Sequence, residues 1–166
     1  MNKRQKGFTL IELLIVVAII LIIAAIAIPN LLRSKIAANE ASAVGSVRTI
    51  VTSEVSYYST WGIGYSATLA TLGGALPCTA SSATACLIDQ SLAGGAKAGY
   101  NFVETGGTAD ASGIVQSFAA GGTPVTVGTT GQRSFCSDES GVVRDNTAGA
   151  TAPTTDTGCE AWAAMQ

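Results

Sequence analysis

Residues 13–32 run for twenty positions without a charge, and fourteen of them are Leu, Ile or Val. The others are Ala18, Ala24, Ala25, Ala27, Pro29 and Asn30. As a helix rising about 1.5 Å per residue, such a run spans roughly 30 Å, the thickness of a bilayer core. At roughly −0.3 to −0.6 kcal/mol per aliphatic residue, its insertion gains on the order of −4 to −8 kcal/mol. Lys3, Arg4 and Lys6 precede it. The positive-inside rule therefore keeps the short N-terminus in the cytoplasm and sends the chain after about residue 33 outward.

Two plain readings fit a basic start and an apolar run. One is a cleaved secretory signal with a small-x-small site at Ala25-Ile26-Ala27. The other is a simple membrane anchor. The run is longer than the roughly 7–15 residues of a signal-peptide apolar region. Both readings leave Glu12 without a purpose. A carboxylate inside an apolar segment costs a few kcal/mol and calls for a partner.

The segment Lys6-Gly7-Phe8-Thr9-Leu10-Ile11-Glu12-Leu13-Leu14 resembles the class III signal of type IV pilins and type II secretion pseudopilins. The strong part of the resemblance covers about residues 1–35, and Pro29 stands where such pilins commonly carry a helix-bending proline. It implies that a prepilin peptidase/methyltransferase cuts after Gly7, removing leader 1–7, and N-methylates the new terminal Phe8. It implies a helical homopolymer, handled by an inner-membrane assembly platform and held in the lipid bilayer beforehand. Cleavage exposes an α-amine on Phe8, one helical turn from Glu12. In a staggered stack, Glu12 of one subunit meets the Phe8 amine of its neighbour. Each charge sits in apolar surroundings and needs the other, so the pair sets axial register.

Beyond residue 32 the apolar positions become periodic. Ile36, Val44, Val47, Val51, Val55 and Tyr58 mostly fall three or four apart, the stripe of an amphipathic helix. Arg33, Lys35, Glu40, Arg48 and Glu54 are read on its other faces. Trp61-Gly62-Ile63-Gly64 supplies a stop. The pattern predicts one helix from about Phe8 to about Ser59, bent or locally melted at Pro29. Segment 8–32 is its membrane or filament-core half and 33–60 its amphipathic half.

Residues 61–98 read as a connecting region with short helical turns over 65–74 and 85–92. Strand signals follow at 99–104, 113–119, 133–137 and 141–144, the last two joined by the turn Asp138-Glu139-Ser140. The sequence thus predicts an α+β, pilin-like chain: a long helix packed on a three- or four-stranded antiparallel sheet spanning 99–145. One sheet face is expected to be apolar and the other wet.

Cys78, Cys86, Cys136 and Cys159 lie in the exported part, an oxidising setting. Four cysteines allow three connectivities, and locality favours 78–86 with 136–159. The second pair would tie the C-terminal loop, 146–166, to the sheet, as the resemblance also implies.

Charged residues make up 12% of the chain, about half the usual share, which argues against a nucleic-acid partner. The chain has no His, the commonest general base and metal ligand. No phosphate loop or nucleophile elbow is present, so the reading is non-enzymatic, without cofactor or metal. Pseudopilins often bind calcium near their C-terminus, but the ligand spacing here is not diagnostic. Three functions are therefore weighed. The first is a type IV pilus subunit, passing from the inner membrane to a surface filament. The second is a pseudopilin forming a periplasmic piston. The third is a membrane-anchored monomeric binding module.

Overall fold

The computed structural model describes residues 7–165. Lys3, Arg4, Lys6 and the rest of the leader before Gly7 lie outside the described residues, as does Gln166. The chain forms two compact units, divided after Lys35. In the first, helix α1 begins at Leu10; the same helix, Leu10–Trp61, supplies the start of the second. It stays helical through Pro29, although proline has no N–H to give the carbonyl four residues back. It stops where Gly62 turns into the left-handed region, φ +64°.

In the second unit the buried face of α1 is Glu40, Ala43, Val47, Ile50, Glu54 and Tyr57. Their steps of three and four residues trace one helix face. This corrects the expected stripe: Val55 and Tyr58 are exposed, and Glu40 and Glu54 lie on the buried face. Both acids are there because each has a donor set to satisfy it. Glu40 Oε1 accepts from the amides of Gln132 (2.9 Å) and Arg133 (3.1 Å). Its Oε2 takes the Arg133 guanidinium at 2.9 Å. Burial works to raise the Glu40 pKa, but these amides and the guanidinium outweigh it and hold the carboxyl below its ordinary range.

Two four-residue helices follow, α2 (Leu69–Leu72) and α3 (Gln90–Ala93). The predicted helix over 85–92 is shorter than expected. Residues 85–88 instead run beside α2 without regular structure, with Cys86 at φ 57°, Ala85 N–H donating to Thr71 O and Leu87 N–H to Leu72 O, both at 2.7 Å. Asp89 then caps α3 by accepting from the Leu92 amide.

The sheet has six antiparallel strands in sequence order. They are β1 (Ala96–Lys97), β2 (Tyr100–Gly106), β3 (Phe118–Pro124), β4 (Ser134–Asp138), β5 (Arg144–Asn146) and, after helix α4 (Asp156–Glu160), β6 (Ala163–Ala164). The two strands beyond the expected four are two-residue edge pairings. Residues 113–117 are not the predicted strand. They leave a turn over 110–114, in which the Asp110 carboxylate accepts the Ser112 and Ile114 amides, and Val115 then bridges Gly64. Gly64 has φ +99°, and a Cβ there would lie 2.4 Å from the Val115 amide nitrogen, so only glycine fits.

One sheet face meets α1. Tyr100, Phe102, Phe118 and Phe135 join Val47 and Ile50 in a single apolar cluster. The other face is not wet where β3 and β4 cross it, contrary to expectation. Ala152, Cys159 and the loop between them cover it: the Ala152 amide donates to Thr123 Oγ1 at 2.8 Å, and a Cβ on Gly121 would stand 2.5 Å from Ala152 Cβ. All of β3 except Thr123 is buried, which explains its Ala-Ala-Gly-Gly sequence.

Disulfides join Cys78 to Cys86 and Cys136 to Cys159. Cys136 and Cys159 are fully buried and close a loop with a sequence separation of 23. Replacing both by Ala removes a constraint worth about 3 kcal/mol by chain-entropy reasoning. Urea unfolding of the full chain should show a lower midpoint for this variant, and an unchanged midpoint would mean that the loop packs without the bond.

Candidate filament and membrane segment

The N-terminal segment is built on a capping device. Residues 7–9 precede the helix, and Thr9 is its N-cap. Glu12 Oε2 accepts from the Thr9 amide at 2.9 Å and from Thr9 Oγ1 at 2.7 Å. The Glu12 amide points back to Thr9 Oγ1 at 3.3 Å. This is a capping box, which satisfies donors that a helix start otherwise leaves free. The signature Thr-x-x-Glu is legible in Thr9-Leu10-Ile11-Glu12, and it gives Glu12 a partner within its own chain, Thr9. Both hydrogen bonds fall on Oε2; among the described residues Oε1 has none.

Past the cap the helix is apolar on every side. Each Leu, Ile and Val from Leu10 to Leu32 is at least 44% exposed, and Phe8 is 86% exposed. Consecutive residues on a helix point about 100° apart, so an unbroken aliphatic run leaves no polar face. A soluble surface rarely carries so large an apolar area unless lipid or protein covers it. The helix is long and apolar enough to cross a membrane. Arg33 and Lys35, both exposed, end the uncharged stretch. Among the described residues no group of three or more acidic or cysteine side chains converges to hold a metal ion.

A family model for the prokaryotic N-terminal methylation motif matches residues 2–28. The chain carries this motif. The match brackets Gly7, Phe8, Glu12 and most of the apolar run. The type IV major pilin protein PilA of Myxococcus xanthus is 47% identical over 58 residues, 35% of this chain and 26% of that protein. The type IV wide pilus major component PilA4 of Thermus thermophilus is 63% identical over 38 residues, 23% of this chain and 29% of that protein. The type II secretion system core protein G of Dickeya chrysanthemi is 38% identical over 47 residues, 28% of this chain and 31% of that protein. The matches thus span less than a third of each relative's length. No solved structure matches. With the motif at its start, the long helix and antiparallel sheet make an α+β, pilin-like arrangement.

The capping box separates two roles of Glu12. Glutamine also occupies the fourth position of capping boxes. Glu12→Gln should therefore keep the helix start and lose only the charge, whereas Thr9→Ala should keep the charge and weaken the cap by about 1 kcal/mol. Amide exchange at residues 10–13 of the full chain in micelles should be faster in Thr9→Ala than in Glu12→Gln.

Proposed function

We propose that the chain is a structural, non-enzymatic subunit of a type IV pilus. In this reading it enters the inner membrane as a prepilin, is cut after Gly7 and N-methylated at Phe8, and polymerises through its N-terminal helix into a surface filament. The observation that carries the reading is the methylation motif opening onto a helix whose aliphatic side chains are exposed all round. Pilus components are also the relatives with the higher identities. The partners follow from the same chemistry. A prepilin peptidase/methyltransferase acts on Gly7 and Phe8, lipid covers the helix before assembly, and neighbouring copies cover it afterwards, fed from an assembly platform in the inner membrane.

Cleavage gives the helix a positive end. The new amine on Phe8 lies close in sequence to Glu12, whose Oε1 makes no hydrogen bond among the described residues. In a staggered stack that oxygen is free for the amine of the adjoining copy. The ion pair, desolvated by the surrounding aliphatic side chains, fixes how far one helix is displaced along the next. Until the leader is removed, Phe8 has no amine to offer. The pseudopilin reading rests on the match to core protein G and differs in where the filament ends.

Shearing cells and probing both fractions tests the proposal. Abundance in long sheared fibres is expected; confinement to the envelope would instead favour the pseudopilin, and monomers in both fractions a membrane-anchored binding module. Glu12→Gln should insert and be cleaved normally yet give few or no filaments. Normal filament yield from that variant would remove the ion pair from the account.

A further inference from the structure

Glu54 on α1 and Glu104 on β2 are 0% and 6% exposed, and Ser66, in the segment between α1 and α2, stands between them. The Ser66 amide donates to Glu54 Oε2 at 2.8 Å, and the Ser66 hydroxyl donates to Glu54 Oε1 at 2.5 Å. The same Ser66 Oγ lies 3.2 Å from Glu104 Oε2 and 3.3 Å from Thr68 O. The second oxygen of Glu104, Oε1, is buried with no hydrogen-bond partner.

Counting protons decides what this arrangement can be. A serine hydroxyl has one proton, and an ionised carboxylate has none. Once Ser66 gives its proton to Glu54 at the shortest of the three contacts, nothing remains between Ser66 Oγ and Glu104 Oε2. Two bare oxygens at that distance repel. The contact becomes attractive when Glu104 is a carboxylic acid and its O–H donates to Ser66 Oγ. No cation offsets two negative charges here, since none of the ion pairs among the described residues involves Glu54 or Glu104. The other titratable groups nearby are Tyr57 on α1 and Tyr65 beside Ser66, with Tyr58 on α1 and Glu139 in the β4–β5 turn both acting on Tyr65. From β3 comes the apolar Phe118, against the Tyr65 ring, and from the cap of α2 only the Thr68 carbonyl.

We propose that Glu54, Ser66 and Glu104 form a buried proton-binding site, in which one proton held by the two acids latches β2 and the Ser66 segment to α1. The inference concerns the second unit alone and stands whatever the apolar helix assembles with. Burial pushes Glu104 up to about 8, with the neighbouring Glu54 charge adding to it. Burial also raises Glu54, against the pull of its Ser66 hydrogen bonds.

The sign of the effect follows. Between the ordinary carboxyl value of 4.5 and about 8, the folded chain holds a proton that the unfolded chain has released. The folded state binds more protons, so stability falls as pH rises through that window and levels off above it. Glu54 is the other carboxyl raised above 4.5 here. The chain has no His, and its four cysteines are in disulfides, so side chains that usually titrate between about pH 5 and 8 are absent.

The test uses the full chain in detergent micelles with its glutamate carboxyl carbons labelled for NMR. One carboxyl should titrate with a midpoint near 8, shifted from the ordinary 4.5, and that signal should be missing from Glu104→Gln. The thermal midpoint of the parent should fall between about pH 5 and 8, and that of Glu104→Gln, which keeps only the raised Glu54 carboxyl, should fall less. If every glutamate carboxyl titrates below about pH 6, or the parent falls no more than the variant, the site does not hold a proton. Should Glu104→Gln fail to fold, the parent's carboxyl titration decides alone.

Discussion

Around its circumference the helix from Leu10 to Leu32 presents aliphatic side chains that the described chain leaves at least 44% exposed. Water is a poor neighbour for such a surface, and the hydrophobic effect drives it into lipid or against other apolar helices. That requirement sets the terms for the N-terminal segment. Charge is tolerable only at its ends, where Glu12 is held by Thr9 and Arg33 and Lys35 mark the exit. A helix entering an apolar medium must also satisfy its first amides internally, because no water is available to do so. The Thr9–Glu12 box does this for the Thr9 and Glu12 amides.

In the second unit α1 has a different task. Its buried face carries two acids among its apolar residues, and each joins a separate part of the unit to the helix. Glu40 gathers Gln132 and Arg133 just before β4, and Glu54 gathers Ser66 just after the helix ends. The apolar cluster of Val47, Ile50, Tyr100 and Phe135 lies among the same elements. The cluster supplies non-directional burial, while the carboxylates supply direction, since their hydrogen bonds are met in few arrangements.

Much of this was legible in the residues. The uncharged run, the Gly62 stop, the α+β order and the strands near 100 and 134 follow from periodicity and turn residues. The stripe on α1 was misplaced because Glu40 and Glu54 read as solvent-facing. Only the tertiary partners Arg133 and Ser66, distant in sequence, make them acceptable inside. β3 was missed because its centre is Ala119-Ala120-Gly121-Gly122, without the branched or aromatic residues that signal a strand. Those small residues are a consequence of crowding on both faces: the Phe102 ring lies against Gly122 on one side and Ala152 against Gly121 on the other. At the N-terminus the Thr-x-x-Glu signature was present and informative. It passed unread because Glu12 was weighed as a membrane charge and not as a helix cap.

The seat of Ala152 on Gly121 has a consequence for how this molecule can diversify. Gly149 is held at φ +68°, where a Cβ would stand 2.8 Å from Val127 Cγ2 and 3.0 Å from the Gln132 carbonyl oxygen, but the other residues of 147–151 are exposed and can be redrawn cheaply. Ala152 is different, because any larger side chain would have to displace β3 itself. Variation in the loop is thus tolerated around two fixed points, Gly149 and Ala152, and divergent versions of this chain should change the residues around them first.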